Sequence, residues 1–563
     1  MKRIIITFLL PVLLFACTTV PDITFDPGLE KYTLSQWQGE GEVTSRLGRI
    51  KGYIGREDTW VWKGIPYARP PVGDLRWRAP VEPSPWKGVL DARRYGSHCP
   101  QYATFSKKKI IGKEDCLYLN IWRPQSLDKE LPVFVWIHGG GNSTGSADFS
   151  NEYLGEFLAE KADAVFVSMN YRLGPFGWFT HPALRKNASP LDSSGNYGTL
   201  DIIQSLRWIH ENIEAFGGDP DNVIIGGESA GGINILTLLL VPEAQGLFHK
   251  ALIRSGGIIL SSQEEGDFKG EKVLKTLLEK DRTSGSGMSM EETASYLRGK
   301  KPKEILRCYE PGYFGMIDFT QNYIDGAVIP ESGQGAFWMG TYPNKVPIII
   351  GSNKDEVKLF FSGDRKLRKN EELYYAVTGL GSSYWKVFGV DSIARVLSRF
   401  PEQPDIFVYR FDWGTEDEKG ESILPGKNGY LFGACHGMEM PFFMGNLKRS
   451  LIFKLFLRTS KNEKGAFALE QILTEYQHNF FRTGDPNKGS YDLPVWNLWT
   501  NEKGAEKCLI LNADYESPRV FMDSIELTEE SVTKNLENSV PNDILQQALE
   551  YSSENGIKFI SIE

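Results

Sequence analysis

Short apolar runs alternate along the chain with amphipathic stretches. Runs rich in β-branched and aromatic residues predict buried strands at 132–137, 164–169, 223–225, 251–253, 346–350 and 406–409. Between 200 and 216 apolar residues recur at steps of three and four, which predicts an amphipathic helix that ends at Gly217-Gly218. A second, strongly apolar helix is predicted at 233–241. Strands that alternate with helices in this way form a mostly parallel sheet covered on both faces, so the pattern predicts an α/β fold.

The stretch 262–310 has a different character. It is charged, is interrupted by Ser and Gly, and has helical periodicity at 271–280 and 290–306. We interpret it as a helical insertion over the sheet and not as an independent domain. No internal repeat is evident, so residues 36–563 are predicted to form a single α/β domain with insertions.

The first residues have the pattern of an export signal. Met1-Lys2-Arg3 is basic, and 4–15 is almost entirely apolar but too short for a bilayer span, which needs about 20 residues. The sequence Leu14-Phe15-Ala16-Cys17 resembles the bacterial lipobox. We therefore expect a signal peptide at 1–16 and a lipidated Cys17 that begins a flexible tether at 17–35. Cleavage after Ala16 with an unmodified Cys17 is the alternative.

This N-terminus predicts export and a lipid anchor in the cell envelope. Thr18 follows the cysteine, where an Asp would signal retention at the inner membrane, so in a two-membrane cell the outer membrane is favoured. The anchor is the only membrane contact that the sequence predicts.

Composition excludes several other classes. The chain has 63 Lys+Arg against 72 Asp+Glu, a net charge of −9, whereas a nucleic-acid binder needs a basic face. With 41% hydrophobic and 24% charged residues, most of the chain is globular. The sequence has no CxxC pair and no Cys/His cluster at metal-binding spacing, so no metal site is predicted.

One glycine-rich motif lies where a catalytic serine would be expected. Gly227-Glu228-Ser229-Ala230-Gly231 follows a predicted strand and precedes a predicted helix. This is the setting of a nucleophile elbow, in which a tight turn lifts the serine hydroxyl clear of the sheet. The N–H of Ala230 would then lie at a helix N-terminus, where it can donate to an oxyanion.

A nucleophilic serine needs a base, and in this chain order the acid and then the histidine follow it. Only three of the seven histidines come after Ser229. His249 is too close to leave room for the acid, and His478 lies within a predicted helix. His436 lies in a glycine-bounded loop, which suits a general base.

The acid should follow a strand between Ser229 and His436. The strand at 346–350 is followed by Asp355 and Glu356, and either carboxylate could orient the imidazole.

Taken together, these residues resemble the type-B carboxylesterase/lipase family, which includes the cholinesterases and the bacterial para-nitrobenzyl esterases. The resemblance extends from about 41 to 499. Its motifs are Lys63-Gly-Ile-Pro-Tyr67, Glu114-Asp-Cys-Leu-Tyr-Leu-Asn-Ile-Trp122, Asn170-Tyr-Arg-Leu-Gly174, Gly195-Asn-Tyr-Gly198, Phe216-Gly-Gly-Asp-Pro with Gly227-Glu-Ser-Ala-Gly-Gly232, His436-Gly-Met-Glu439 and Thr483-Gly-Asp-Pro-Asn487.

The resemblance implies an α/β-hydrolase fold and a role for each matching residue. It selects Glu356 as the acid, although Val357 stands where the family usually has Gly. The remaining roles that it implies are an oxyanion hole from Gly140, Gly141 and Ala230, a disulfide between Cys99 and Cys116, an ion pair between Arg76 and Glu114, and support of the acid by Ser255.

The resemblance also implies a serine carboxylesterase that works through an acyl-enzyme on a small ester, with neither a metal nor an organic cofactor. Two alternatives stay open. Some relatives of this fold have lost the triad and act as binding or adhesion proteins. A true lipase would differ from a short-chain esterase by acting on emulsified long-chain triglycerides.

Overall fold

The computed structural model describes residues 23–554 except 105, 149–152, 286, 418, 490 and 491. The predicted signal peptide at 1–16 and Cys17 therefore lie outside the described residues.

A twisted sheet of eleven strands forms the centre of the fold. Its strands in chain order are β1 (Tyr53–Ile54), β2 (Thr59–Pro66), β3 (Tyr118–Pro124), β4 (Leu131–Ile137), β5 (Val165–Met169), β6 (Gly218–Glu228), β7 (Lys250–Arg254), β8 (Ile348–Asn353), β9 (Ile406–Phe411), β10 (Cys508–Ala513) and β11 (Pro518–Asp523). Their order across the sheet is β11-β10-β9-β8-β7-β6-β4-β5-β3-β2-β1. The seven strands from β10 to β5 are parallel, and antiparallel strands extend the sheet at both edges. The predicted α/β-hydrolase fold is confirmed.

Helices cover both faces of this sheet. Among the described residues, the helices of nine or more residues are α1 (Tyr197–Asn212), α2 (Ala230–Leu240), α3 (Gln263–Asp281), α4 (Met290–Arg298), α5 (Glu371–Lys386), α6 (Glu463–Thr483), α7 (Glu529–Ser539) and α8 (Asn542–Glu554). Shorter helices are Glu156–Lys161, Gly174–Gly177, Pro182–Arg185, Pro190–Ser193, Pro302–Leu306, Gly335–Met339, Lys358–Phe361, Ser392–Leu397, Asn428–Leu431 and Met440–Phe443, with π-helical turns at Val387–Asp391 and Phe453–Leu457.

The apolar strand runs are explained by burial on both faces. Within β4, Val133 and Val135 pack into one core with α1 and α2, while Phe134 and Trp136 point to the opposite core with α6. Successive side chains of a strand face opposite sides of the sheet, so a strand covered on both sides needs apolar residues at every position.

Smaller sheets flank the N-terminal half of the chain, and one of them includes part of the predicted tether. Glu42–Ser45, Gly48–Lys51 and Val89–Asp91 form a three-stranded sheet, and pairs form between Gln101–Ala103 and Ser106–Ile111 and between Ser261–Ser262 and Tyr323–Ile324. Thr24–Phe25 pairs with Trp86–Lys87, and the ring of Phe25 meets the edge of Trp86. The expectation of a flexible tether over 17–35 is therefore wrong for its described part, because strand pairing and aromatic packing hold it against the body.

The insertion at 262–310 folds over the sheet around its own apolar cluster, which includes Leu277, Leu297 and Ile305. The single helix predicted at 290–306 is divided at Gly299, where α4 ends, and a short helix restarts at Pro302. Proline favours the first turn of a helix, so it marks a new start there. Within the described residues, no helix has the length and apolar character that a bilayer span requires.

Candidate active site

Ser229 lies in the tight turn between β6 and α2. Its backbone has φ 58° and ψ −122°, a conformation that L-residues rarely adopt. The turn is possible because its neighbours lack side chains: a Cβ on Gly227 would lie 2.5 Å from the carbonyl carbon of Gly231, and one on Gly231 would lie 2.0 Å from the carbonyl oxygen of Ile137. Such strain is typical of functional positions, and here it presents the serine beyond the sheet edge.

The glycine loop after β4 lies beside this serine. A Cβ on Gly139 would come within 3.0 Å of the Ser229 Cβ. Gly140 and Gly141 have φ of 108° and 61°, and a Cβ on Gly140 would lie 2.3 Å from the carbonyl oxygen of Thr144, so the loop requires glycine. Ala230 is the first residue of α2, where backbone N–H groups lack intrahelical acceptors. Gly140 and Ser229 line the same pocket, and Ala230 follows the serine directly. Gly141 is the next residue of the loop, and a Cβ on it would lie 2.8 Å from the sulfur of Met316.

His436 and Glu356 are in direct contact. Nδ1 of His436 lies 2.6 Å from Oε2 of Glu356, which is fully buried. The other carboxylate oxygen of Glu356 accepts hydrogen bonds from the Ser255 hydroxyl and, at 2.7 Å, from the Asn353 N–H. These bonds fix the carboxylate, which in turn orients the imidazole.

Asp355, the other candidate acid, points elsewhere. Its carboxylate accepts from the Thr415 hydroxyl at 2.7 Å and from the Ala434 N–H at 3.0 Å, and Lys358 lies 3.2 Å from it. It therefore holds the loop that carries His436 and does not contact the ring. Val357, which stands where the family usually has Gly, packs against Gly381 of α5. A Cβ on Gly381 would lie only 2.9 Å from the Val357 side chain, so the glycine makes room for the valine.

Sequence reasoning missed the contact between Glu228 and the histidine. Oε1 of Glu228 lies 3.0 Å from Nε2 of His436, with both side chains buried, but the two atoms are not aligned as a hydrogen bond. A third carboxylate, Glu439, is fully buried and bonded to the Asn353 side-chain amide. The position of Glu228 directly before the nucleophile was the available signal for its proximity to the base.

The buried carboxylates around His436 favour its protonated form. Burial opposes the charged imidazolium, but Glu228, Glu356 and Glu439 outweigh it and raise the pKa of His436 to about 9. Burial raises the pKa of Glu228, and burial together with the neighbouring carboxylates raises that of Glu439 to about 8. The cluster therefore favours a protonated imidazole, and His436 becomes free to accept a proton as the pH rises towards this pKa.

An apolar pocket of about 290 Å³ opens in front of Ser229 and His436. Most of its wall is apolar; the lining side chains include Tyr153, Phe314, Met316, Leu359, Phe360 and Ile452. Behind the pocket, the ring of Trp385 lies 4.8 Å from the imidazole. Neutral, apolar groups fit such a pocket.

The other predicted site residues lie outside this pocket. Arg76 and Glu114 form a buried bidentate ion pair, and the Arg76 guanidinium also donates to the carbonyls of Arg298 and Lys300, so it ties the insertion to the body. Cys99 and Cys116 form a disulfide.

The remaining histidines of the C-terminal half and potential metal ligands lie elsewhere. His249 accepts from the Val223 N–H near the start of β7, and His478 lies on α6 beside Arg482. Across the described ranges there is no group of three or more His, Cys, Asp or Glu side chains that could hold a metal ion.

Comparison with known proteins gives consistent matches. Residues 39–377 match the model of the carboxylesterase family. The chain is 33% identical to para-nitrobenzyl esterase of Bacillus subtilis (strain 168) over 82% of this chain and 93% of that protein. It is 35% identical to human cocaine esterase over 82% of this chain and 85% of that protein.

Solved structures agree with these matches. A PNB esterase structure superposes with a TM-score of 0.68 at 30% identity, over 88% of this chain and all of that one. A carboxylesterase of Geobacillus stearothermophilus superposes with a TM-score of 0.67 at 30% identity, over 86% and 98% of the two chains.

Proposed function

Because the chain belongs to the carboxylesterase family and is a carboxylic ester hydrolase, we propose that Ser229, Glu356 and His436 form its catalytic triad. The observation that carries this assignment is the 2.6 Å contact between the His436 ring and the buried Glu356 carboxylate, in a pocket that Ser229 also lines.

Each residue has a distinct part in acyl transfer. His436 accepts the hydroxyl proton as Ser229 attacks the ester carbonyl, and then gives that proton to the leaving alcohol, so an acyl-enzyme forms. The same imidazole next activates water, which releases the acid and restores the serine. Glu356 keeps the ring in the required tautomer and stabilises the imidazolium.

The oxyanion of each tetrahedral intermediate needs backbone donors. We assign this role to the N–H groups of Gly140, Gly141 and Ala230, because both glycines belong to the loop whose Gly139 lies against Ser229, and Ala230 begins α2. Removing one such donor typically costs 10²–10³ in kcat, about 3–4 kcal/mol.

The decisive experiment is Ser229→Ala. With the nucleophile removed, we expect kcat for a p-nitrophenyl ester to fall by about 10⁶ while the folded protein is retained. Thermal unfolding of the variant checks the fold, and Ser194→Ala, at another buried serine, serves as the matched control. A tenth of the wild-type rate in the Ser229→Ala variant would end the assignment.

The substrate class follows from the pocket wall. Apolar side chains provide most of its surface, so neutral esters with an apolar acyl group should be favoured over charged ones. A panel of p-nitrophenyl esters of increasing acyl length tests this: kcat/KM should rise with chain length until the pocket is filled. A preference for acetate over every longer ester would contradict it.

We propose further that Cys17 is lipidated and holds the enzyme at the cell envelope, with the outer membrane as its site in a two-membrane cell. Support comes from the basic start, the apolar run and the lipobox-like sequence up to Cys17. Mass spectrometry of the mature N-terminus should find an acylated cysteine, and Cys17→Ser should abolish it. A mature protein that begins with unmodified Cys17 would refute the proposal.

A further inference from the structure

One short helical segment exposes apolar side chains where a soluble protein normally places polar ones. Leu451, Ile452, Leu455 and Phe456 are 56%, 53%, 70% and 52% exposed within six consecutive residues. Phe453 and Leu457, one helical turn apart, point inward and are buried. The segment is thus anchored by its inner face, and its outer face is apolar as well. Isolated exposed apolar residues are ordinary, but contiguous groups mark binding surfaces.

The same stretch is strongly basic. Residues 446–461, here called the basic apolar segment, contain five basic residues and no acidic one, in a chain of net charge −9. Arg449 lies near Glu57 and Arg458 near Glu463. Lys448, Lys454 and Lys461 are exposed and form no ion pair within the described part of the chain. Positive charge around an apolar face complements an anionic lipid surface.

The segment also borders the active-site pocket. Ile452 and Leu457 line the pocket that contains Ser229 and His436, and Phe314, itself 36% exposed, lines the same pocket. A surface that covered the exposed side chains would therefore lie at the pocket wall.

We propose that the basic apolar segment docks the enzyme on an anionic phospholipid bilayer. Leu451, Ile452, Leu455 and Phe456 would enter the boundary between headgroups and acyl chains, with the three lysines at the level of the headgroups. A second copy of the chain fits less well, because a two-fold contact on this small patch would bring the lysines of both copies together.

This inference goes beyond the proposed function, because docking does not depend on the triad. It adds a second membrane contact to the N-terminal lipid. Its consequence for chemistry is that esters dissolved in the bilayer could enter the pocket without crossing water.

Vesicle flotation tests docking directly. Every protein in this assay is the full chain with Cys17→Ser, so that no acyl anchor contributes to binding. Because the N-terminus is the same in all of them, it cannot cause a difference in binding between variants. The vesicles are phosphatidylcholine with or without phosphatidylglycerol. We expect tighter binding when phosphatidylglycerol is present, and expect Leu455→Ser with Phe456→Ser to lower the partition coefficient by about tenfold or more. The matched control, Leu127→Ser with Val495→Ser, alters two side chains of similar exposure (73% and 67%) and should leave binding unchanged.

A charge series separates the two components. Lys448→Gln, Lys454→Gln and Lys461→Gln together should lower binding to anionic vesicles by about tenfold or more and leave binding to neutral vesicles unchanged. The matched control changes Lys275, Lys303 and Lys534, exposed lysines outside the segment. The Ser229→Ala chain should bind vesicles as the parent does, so failure of the triad assignment would be seen separately.

Three results would overturn docking. The first is equal loss of binding in the segment and control variants. The second is binding that does not respond to phosphatidylglycerol. The third is a dimer in sedimentation velocity that Leu455→Ser with Phe456→Ser dissociates, which would show that a second copy covers the face.

Discussion

Replacing Glu228 by glutamine should move the acidic limb of the kcat/KM profile to lower pH. Glu228 is the carboxylate nearest Nε2 of His436, at 3.0 Å, and glutamine keeps nearly the same shape without the charge. The variant therefore changes the electrostatics of the base and leaves its contact with Glu356 intact.

The size of the shift follows from this distance. Two unit charges 3.0 Å apart interact by roughly 5 kcal/mol at an effective dielectric constant of about 20, which sets an upper limit. The raised pKa of Glu228 lowers the fraction of time that its charge is present near neutral pH. An opposite charge at this range typically shifts a pKa by about 1–3 units, and we expect the limb to move by that amount.

The direction can be worked out from the protonation state of the base. As the proposed base, His436 must be neutral to accept the serine proton, and its carboxylate neighbours raise its pKa to about 9. Wild-type activity should therefore increase towards alkaline pH. Removing Glu228 lowers that pKa, so the neutral imidazole, and with it activity, persists at lower pH.

The assay is kcat/KM for an uncharged ester across the pH range, since this ratio reports the free enzyme. Glu506→Gln is the matched control, because Glu506 is an exposed carboxylate just before β10, at the end of the parallel sheet opposite the site. An unmoved limb, or one that moves to higher pH, would refute the reasoning. A shift of equal size in Glu506→Gln would show a general charge effect instead.

Three further predictions concern the acid, the disulfide and the substrate. Glu356→Gln should lower kcat by about 10⁴, whereas Asp355→Asn, which alters only the loop behind His436, should be milder; the reverse order in steady-state kinetics would contradict the assignment. Cys99→Ser with Cys116→Ser should lower the free energy of unfolding by about 3 kcal/mol, since the bridge closes a loop of 17 residues; an unchanged thermal midpoint would exclude this. An uncharged butyrate ester should have a higher kcat/KM than butyrylcholine, because no tryptophan is among the described residues that line the pocket; a clear preference for the choline ester would show another cation site.

The apolar pattern predicted six of the seven parallel strands, β4 to β9, but missed β10 and the antiparallel strands at the edges. Strands such as β4 and β6 are buried on both faces, and their continuous apolar runs are distinctive. The edge strand β11 alternates between partly buried and exposed residues, so no comparable run marks it. The helices α7 and α8, which are more polar overall than α1 and α2, were not predicted either.

The choice between Asp355 and Glu356 shows where local sequence stops being informative. Both residues lie in the turn that follows β8, and the side chains of these two neighbours point in different directions. Which of them contacts His436 depends on the path of the chain at 434–436. That path depends on contacts across 80 residues of sequence. The resemblance to a family supplied this long-range information, and the structure places Glu356 against the ring.

The proximity of Glu228 to His436 has a related origin, and it connects the strained turn to the electrostatics of the site. The backbone of Ser229 reverses at φ 58°, so the side chain before it points back towards the sheet edge, where His436 arrives from the loop after β9. A carboxylate at that position is costly, because it is buried beside Glu356 and Glu439, and each raises the free energy of the others in their charged form. Two cations are placed to relieve this repulsion: the buried guanidinium of Arg254, which is always charged, and the imidazolium that forms in the proposed mechanism. The three carboxylates should therefore stabilise the charged base most in the transition state, when the serine proton has moved to His436, which is where stabilisation accelerates the reaction.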